Sequence, residues 1–173
     1  MKITTIITAV FIGFYAGCTP MTVHMDYDPD VDFSSYTTFN WMPELKRGKK
    51  DEKPTLTGPF LEKRIKKAVL ENLVARGYEK KTGTADILIA YHINYKKKAR
   101  VNMQGYGYWG PRPVDVYRYK EGTLILDFVD TETNQLVWRG WSISAVDPGS
   151  GPRAEQANIN RAVEEILKRF PPY

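Results

Sequence analysis

The residues of this chain whose types and spacing could do chemistry are few: His24 and His92, the alternating Asp26, Asp28, Asp30 and Asp32, the pair Asp127 and Arg139, and a lone cysteine, Cys18. Both histidines fall on predicted strands, so they can share a metal ion or an acid–base role only if those strands are neighbours; otherwise each is hydrogen-bonded or exposed. The aspartates alternate as calcium-loop ligands do. Counted from Asp26, however, the sixth position holds Val31 where the loop turns on glycine, and the twelfth holds Thr37 where a glutamate closes the shell, with Pro29 between. They read instead as turn and strand-end aspartates, solvated or paired with Lys and Arg. Asp127 and Arg139 are spaced to face one another across a hairpin, as an ion pair that sets register. No G-x-S-x-G elbow, phosphate-binding glycine loop or paired-histidine motif occurs, and Gly149-Ser150-Gly151 sits in a Pro-rich connection without the strand-to-helix context of a nucleophile. The chain reads as a non-enzyme with no cofactor and no metal site; catalysis by His24 or His92, beside a carboxylate in a cleft, is the third-ranked reading.

A second constellation is basic and aromatic. Lys96, Lys97, Lys98 and Arg100 precede Tyr106, Tyr108, Trp109 and Arg112, and Tyr117 and Tyr119 follow. Basic side chains among aromatics suit nucleic acid, and equally lipid headgroups or a protein interface. The same aromatics can also fold over an apolar sheet face as a lid. Lid and contact surface both remain open.

The start of the chain decides which anions are within reach. Lys2, an apolar run over residues 3–15 too short to cross a bilayer, and Ala16-Gly17 stand directly before Cys18. The pattern resembles a bacterial lipoprotein signal, with Tyr15 where leucine is usual. In such signals the cysteine becomes the first mature residue and carries a diacylglycerol thioether and an N-acyl chain. The resemblance implies a signal peptide over residues 1–17, a lipid-anchored N-terminus over 18–22 and one domain over 23–173. Thr19, at the position where Asp would retain the protein in the inner membrane, implies the outer membrane. Each acyl chain contributes about 0.8 kcal/mol per buried methylene, so several together anchor stably. An acylated sulfur can form neither a disulfide, a thiolate nucleophile nor a metal ligand. Export argues against nucleic acid as a partner and leaves the membrane itself, an envelope protein, a lipid headgroup or peptidoglycan.

The elements that position these groups are arranged around residues 121–143. Two β-rich runs, 123–129 and 136–143, flank the polar cluster 130–135 and predict a hairpin. With Val129 facing Val137, Asp127 meets Arg139 and Ile125 meets Trp141 on one face, while Leu124, Leu126, Phe128 and Trp138 share the other. Both faces are mostly apolar, so the hairpin belongs in the middle of a sheet. Earlier strands are predicted at 21–27 and 34–41. A helix over 59–76 is capped by Thr57 or Gly58, carries Pro59 in its first turn and stops at Gly77, with Leu61, Ile65, Ala68, Val69 and Leu73 on one stripe. A strand follows at 85–95. Residues 96–118 read as the irregular part: a strand end, a short return strand and a Gly/Pro/aromatic loop. After the breakers at 147–152, a helix over 153–169 presents Ile159, Ala162, Val163, Ile166 and Phe170.

The order β-β-α-β-(β)-β-β-α predicts an α+β fold, a two-layer sandwich in which a mostly antiparallel sheet has both helices packed on one face. Its opposite face then needs the aromatic loop, the N-terminal segment or a partner. A composition of 42% hydrophobic and 26% charged residues is that of a globular domain, and 173 residues are enough for one sizeable core. The formal charge of +5 favours anionic surfaces without selecting one.

Taken in order, DYDP at 26–29, DFSSYTTFNW at 32–41, ADILIAY at 85–91, YKEGTLILDFVD at 119–130, LVWRGW at 136–141 and FPP at 170–172 resemble the bacterial lipoprotein family catalogued as domain of unknown function 4136. The resemblance covers nearly all of the mature chain. It implies an exported, usually lipid-anchored α+β domain and brings no catalytic residues. The function expected is that of a lipid-anchored envelope protein, a non-catalytic binding or structural accessory at the periplasmic side of the outer membrane. The alternative is a periplasmic carrier of a small apolar ligand or lipid fragment, with a pocket between hairpin and loop.

Overall fold

The hairpin at residues 121–143 lies inside a six-stranded sheet in the computed structural model, which describes residues 21–43, 58–102, 115–147 and 149–172. The elements are β1 (Met21–Tyr27), a short 3-10 turn (Phe33–Ser35), β2 (Thr38–Trp41), α1 (Pro59–Val74), β3 (Glu79–Lys80), β4 (Ile87–Asn102), β5 (Asp115–Asp130), β6 (Leu136–Val146) and α2 (Gly151–Leu167). The strand order is β1-β6-β5-β4-β2-β3. All pairs are antiparallel except β2 with β3 and β2 with β4, so the sheet is mixed. Both helices pack on the same face, and the fold is the expected α+β sandwich.

Alternation assigns each strand's faces. Toward the helices point Phe39, Ile87, Ile89, Leu124, Leu126, Phe128 and Trp138, all buried. They meet the buried stripes of the two helices, Leu61, Ile65, Ala68, Val69 and Leu73 from α1 and Ile159, Ala162, Val163, Ile166 and Leu167 from α2. Phe170, just past α2, closes the core against Phe33, Phe128 and Trp138 with ring centroids 4.5–6.0 Å apart. Gly140 is what allows this packing. A Cβ there would lie 2.3 Å from the Trp138 ring and 2.6 Å from Ile166 Cγ2, so the bare backbone lets the indole lie flat beneath α2.

Asp127 opposes Arg139 and Ile125 opposes Trp141 as the alternation predicts, but Val129 pairs with Leu136. A bulge between Phe128 and Val129 inserts Val137 as the extra residue on β6, and its carbonyl accepts the Asp28 N–H at 3.0 Å. The second strand is shorter than predicted because the Asp32 carboxylate accepts the Ser34 N–H (3.0 Å) and hydroxyl (2.6 Å), curling residues 33–35 into a 3-10 turn. Glu79–Lys80, between the predicted helix and the strand predicted at 85–95, forms the edge strand β3. Gly58 is the N-cap of α1, while Thr57 lies outside the described residues. Gly77, at φ 92°, ends that helix as expected, with the Tyr78 N–H reaching back to the Leu73 carbonyl at 3.1 Å.

Within residues 96–118 the expected strand end and return strand are both present. β4 continues through Lys96, Lys97, Lys98 and Arg100 to Asn102, and β5 begins at Asp115, so the return strand is not separate but continuous with the first strand of the central hairpin. The rest of that segment, with Tyr106, Tyr108, Trp109 and Arg112, lies outside the described residues.

At the opposite end of the sheet, carboxylates tie the chain together. Asp86 Oδ2 accepts the N–H groups of Thr37 (2.9 Å) and Thr38 (2.7 Å), and its own N–H donates to Thr38 Oγ1 (2.9 Å). Asp130 accepts the Thr133 N–H (2.7 Å) and the Tyr36 hydroxyl (2.8 Å). Burial pushes the Asp86 carboxyl up, but the hydrogen bonds from Thr37 and Thr38 together hold it below its ordinary range. The Thr133 N–H does the same for Asp130 against burial, helped by Tyr36.

Two outcomes follow. Gly140→Ala overpacks the core and lowers the unfolding free energy by about 1–3 kcal/mol in urea titrations. Because Asp86 and Asp130 titrate lower in the folded than in the unfolded chain, their contribution is complete above the unfolded value of about 4 and is lost as pH falls through the folded values. Stability measured from pH 7 downward should therefore fall below about pH 4, and less steeply in Asp86→Asn.

Candidate binding site at the root of the β4–β5 arm

β6 ends at Val146, opposite Lys120, while β4 and β5 remain paired from Lys98 and Tyr119 out to Asn102 and Asp115. This two-stranded arm extends about 17 Å past the third strand. It also passes beyond the helices. A 16-residue strand spans about 53 Å and a 16-residue helix about 24 Å, so α1 and α2 cannot back the full length of β4 and β5. A bare two-stranded ribbon is marginally stable in water and gains from a surface to lie on.

Where the helix layer stops, a half-open cleft of about 410 Å³ lies between the first turns of α1 and α2 and the helix-facing side of β4, β5 and β6. Its floor is apolar, built from Leu61, Ile65, Ile93, Leu124, Ile159 and Ala162. At the arm's root Gly122 keeps it open. A Cβ there would sit 2.7 Å from Val146 Cγ2 and 3.3 Å from the Tyr95 ring. Burial, with the Glu155 charge nearby, raises the Tyr95 phenol above its usual range. Phe60, 72% exposed, stands at the mouth.

The charges around the mouth are unequally matched. Arg64 and Glu155 form an ion pair, and the Asp147 carboxylate accepts the Gly149 N–H at 2.9 Å. Lys97 and Lys120, by contrast, oppose one another directly across β4 and β5 on the cleft side. Opposed residues have Cβ atoms about 5 Å apart, where like charges repel. Among the described residues neither lysine forms an ion pair. On the other side of the arm Lys98 pairs with Glu121 at 3.3 Å.

The residues first singled out for chemistry are placed elsewhere. Asp26 Oδ1 and Asp28 Oδ1 each accept a nearby backbone N–H, from Tyr27 and Asp30, as turn aspartates do. His24 on β1 and His92 on β4 are separated by β6 and β5, about 14 Å across the sheet, so they do not form a pair. Both lie on the face away from the helices. There His24 stacks on Trp141 at 5.3 Å, and His92 Nε2 lies 3.3 Å from Asp127 Oδ2. Asp127 is buried and gripped by Arg139 through Nε (2.6 Å) and Nη2 (2.7 Å), the register-setting pair expected. His92 is thus beside a carboxylate, with its side chain 50% exposed on the sheet face away from the helices. Cys18 lies outside the described residues. The cleft itself had no sequence signal, because it depends on where two helices end against longer strands.

The family model described as "Domain of unknown function (DUF4136)" matches residues 23–172. Among curated proteins no sequence matches the chain. A solved DUF4136 family protein from Bacteroides thetaiotaomicron is similar in fold, with 21% identity, a TM-score of 0.52 and coverage of 87% of this chain and 96% of that one. A PDZ domain protein from Parabacteroides distasonis aligns at 12% identity and a TM-score of 0.55 over 90% of this chain, which spans 37% of that protein's length. The PelC dodecamer from Paraburkholderia phytofirmans aligns at 12% identity and a TM-score of 0.48, over 86% of this chain and 96% of that one.

If Asp127 and Arg139 are structural, Arg139→Met strands a buried carboxylate and costs about 1–3 kcal/mol, whereas His92→Ala, removing an exposed partner, costs under about 1 kcal/mol. Chemical denaturation of the two variants checks this.

Proposed function

The chain belongs to the DUF4136 family, which brings a fold and no assigned activity, and on that footing we propose that the protein is exported, anchored by lipid on Cys18 at the periplasmic face of the outer membrane, and acts there by binding and not by catalysis. The anchor is supported by the apolar run over residues 3–15, the small Ala16-Gly17 before the cysteine, and Thr19 after it.

The observation that carries the reading is where the tether joins the fold. Met21 begins β1 opposite Ser144, and Ser144 lines the cleft. Residues 18–21 can span no more than about 11 Å. Anchoring at Cys18 therefore brings the arm's end of the sheet toward the bilayer. Lys96, Lys97, Lys98 and Lys120 then sit at the anchored end, facing anionic headgroups, and the arm gains the surface it lacks in water. An envelope protein or peptidoglycan would be met by the same end.

The second reading, a carrier of a small apolar ligand or lipid fragment, is favoured by the cleft, whose volume and apolar floor are those of a ligand site. This cleft lies between hairpin and helices; the loop of the pocket expected between hairpin and loop lies outside the described residues.

The test has two parts. Mass spectrometry of the protein from native envelopes should show acyl chains that are absent from Cys18→Ser. Non-acylated Cys18→Ser protein should bind phosphatidylcholine vesicles containing phosphatidylglycerol, and a Lys96→Ser/Lys97→Ser/Lys98→Ser change should weaken that binding on the order of 100-fold, at about 1 kcal/mol per lysine. An unmodified mature mass defeats the anchor, and unchanged vesicle binding defeats the arm as its contact surface.

A further inference from the structure

The cleft at the arm's root has two features that specify an occupant together and not separately: an apolar floor, and at one end Lys120, which with Lys97 across from it forms a pair of lysines without an ion-pair partner among the described residues. We propose that it binds one long-chain anionic amphiphile, with the alkyl chain along Leu61, Ile65, Ile93 and Leu124 and a carboxylate or phosphate head between Lys97 and Lys120. The inference rests on the carrier reading and supplies its ligand class.

The chain portion follows from solvation. Ile93, Leu124 and Ile159 sit at the base of an opening of about 410 Å³, where water finds few hydrogen-bond partners. An alkyl chain laid there leaves water at about 25 cal/mol per Å² of apolar surface buried. The head portion follows from charge. Lys97 and Lys120 face one another across β4 and β5, an arrangement that costs stability when nothing lies between them. An anion placed between them turns that repulsion into two charge-assisted contacts. Of the other charged groups at the mouth, Arg64 is paired with Glu155, and the Asp147 carboxylate accepts the Gly149 N–H. A neutral lipid would fill the floor and leave the lysines opposed; a small anion would satisfy the lysines and leave the floor wet. Only an amphiphile answers both.

The position suits the ligand. The cleft opens at the end of the sheet where β1 enters the fold, the end that a lipid on Cys18 holds at the bilayer.

The experiment titrates non-acylated Cys18→Ser protein with a dansyl-labelled undecanoic acid and, in parallel, with its methyl ester, following the blue-shifted emission. The acid should bind saturably, one per chain, and more tightly than the ester. Ser144→Trp, which fills the cleft from a half-exposed strand position, should abolish binding of both while the protein keeps its cooperative thermal transition. Lys97→Glu/Lys120→Glu should weaken the acid at least about tenfold and leave the ester unchanged. Displacement by hexadecanoate or by a lysophospholipid of equal chain length then separates a carboxylate from a phosphate head. Absence of saturable binding, or binding indifferent to Ser144→Trp, overturns the site. Equal binding of acid and ester, both insensitive to the lysine reversal, overturns the anionic head. Neither failure touches the anchor or the arm, which are read from the mature mass and from vesicle binding.

Discussion

A β-strand advances about 3.3 Å per residue and an α-helix about 1.5 Å, and this fold sets 16-residue strands against helices of 16 and 17 residues. The helix layer can therefore cover only about half of the central strands. Which half it covers is fixed by packing. Gly140 opens a gap on β6 that Trp138 fills, and Ile166 closes over the indole, so α2 docks toward the Phe128 and Trp138 end. The arm, the cleft and the lysines Lys97 and Lys120 are what the mismatch leaves beyond the helix layer at the other end, among the described residues.

The two ends of the sheet differ accordingly. Around Asp86 and Asp130 the polar groups are committed to one another: backbone N–H groups of residues 37, 38 and 133 and the Tyr36 hydroxyl are all taken up by carboxylates. This end is closed and structural. At the other end Lys97 and Lys120 lack ion-pair partners among the described residues, and Phe60 is largely exposed. The face away from the helices is intermediate. Its Asp127–Arg139 pair and the His24–Trp141 stack combine polar and apolar contacts within the sheet, so its residues find partners on their own face.

What was legible in the sequence was whatever repeats with the period of its element. The stripe Leu61, Ile65, Ala68, Val69 and Leu73 is the buried side of α1 without exception, and the opposition of Asp127 to Arg139 follows from counting by twos back from the turn. The bulge at Val137 was not legible, because it lies at the very end of the hairpin, where only Leu136 remains beyond it to show the change of phase. The 3-10 turn at Phe33 depends on one side chain, Asp32, preferring two local hydrogen bonds to a strand. The length of β4 was hidden because Lys96, Lys97 and Lys98 carry no apolar alternation, so its outer part is held by pairing with β5 alone beyond Tyr119. A cleft made by the ends of two helices over a longer sheet is a tertiary quantity, and no window of sequence contains it.

The central claim is that the protein works through the end where helices and sheet part, with that end turned to the membrane. Hydroxyl-radical footprinting of the protein in native envelopes, against the same protein released from them, tests it most directly. The account predicts that oxidation of Phe60 and Tyr95 falls in the envelope while His24 and Trp141 on the opposite face are modified equally in both. Protection of His24 and Trp141, with Phe60 and Tyr95 unchanged, would contradict it and move the working surface to the open face of the sheet.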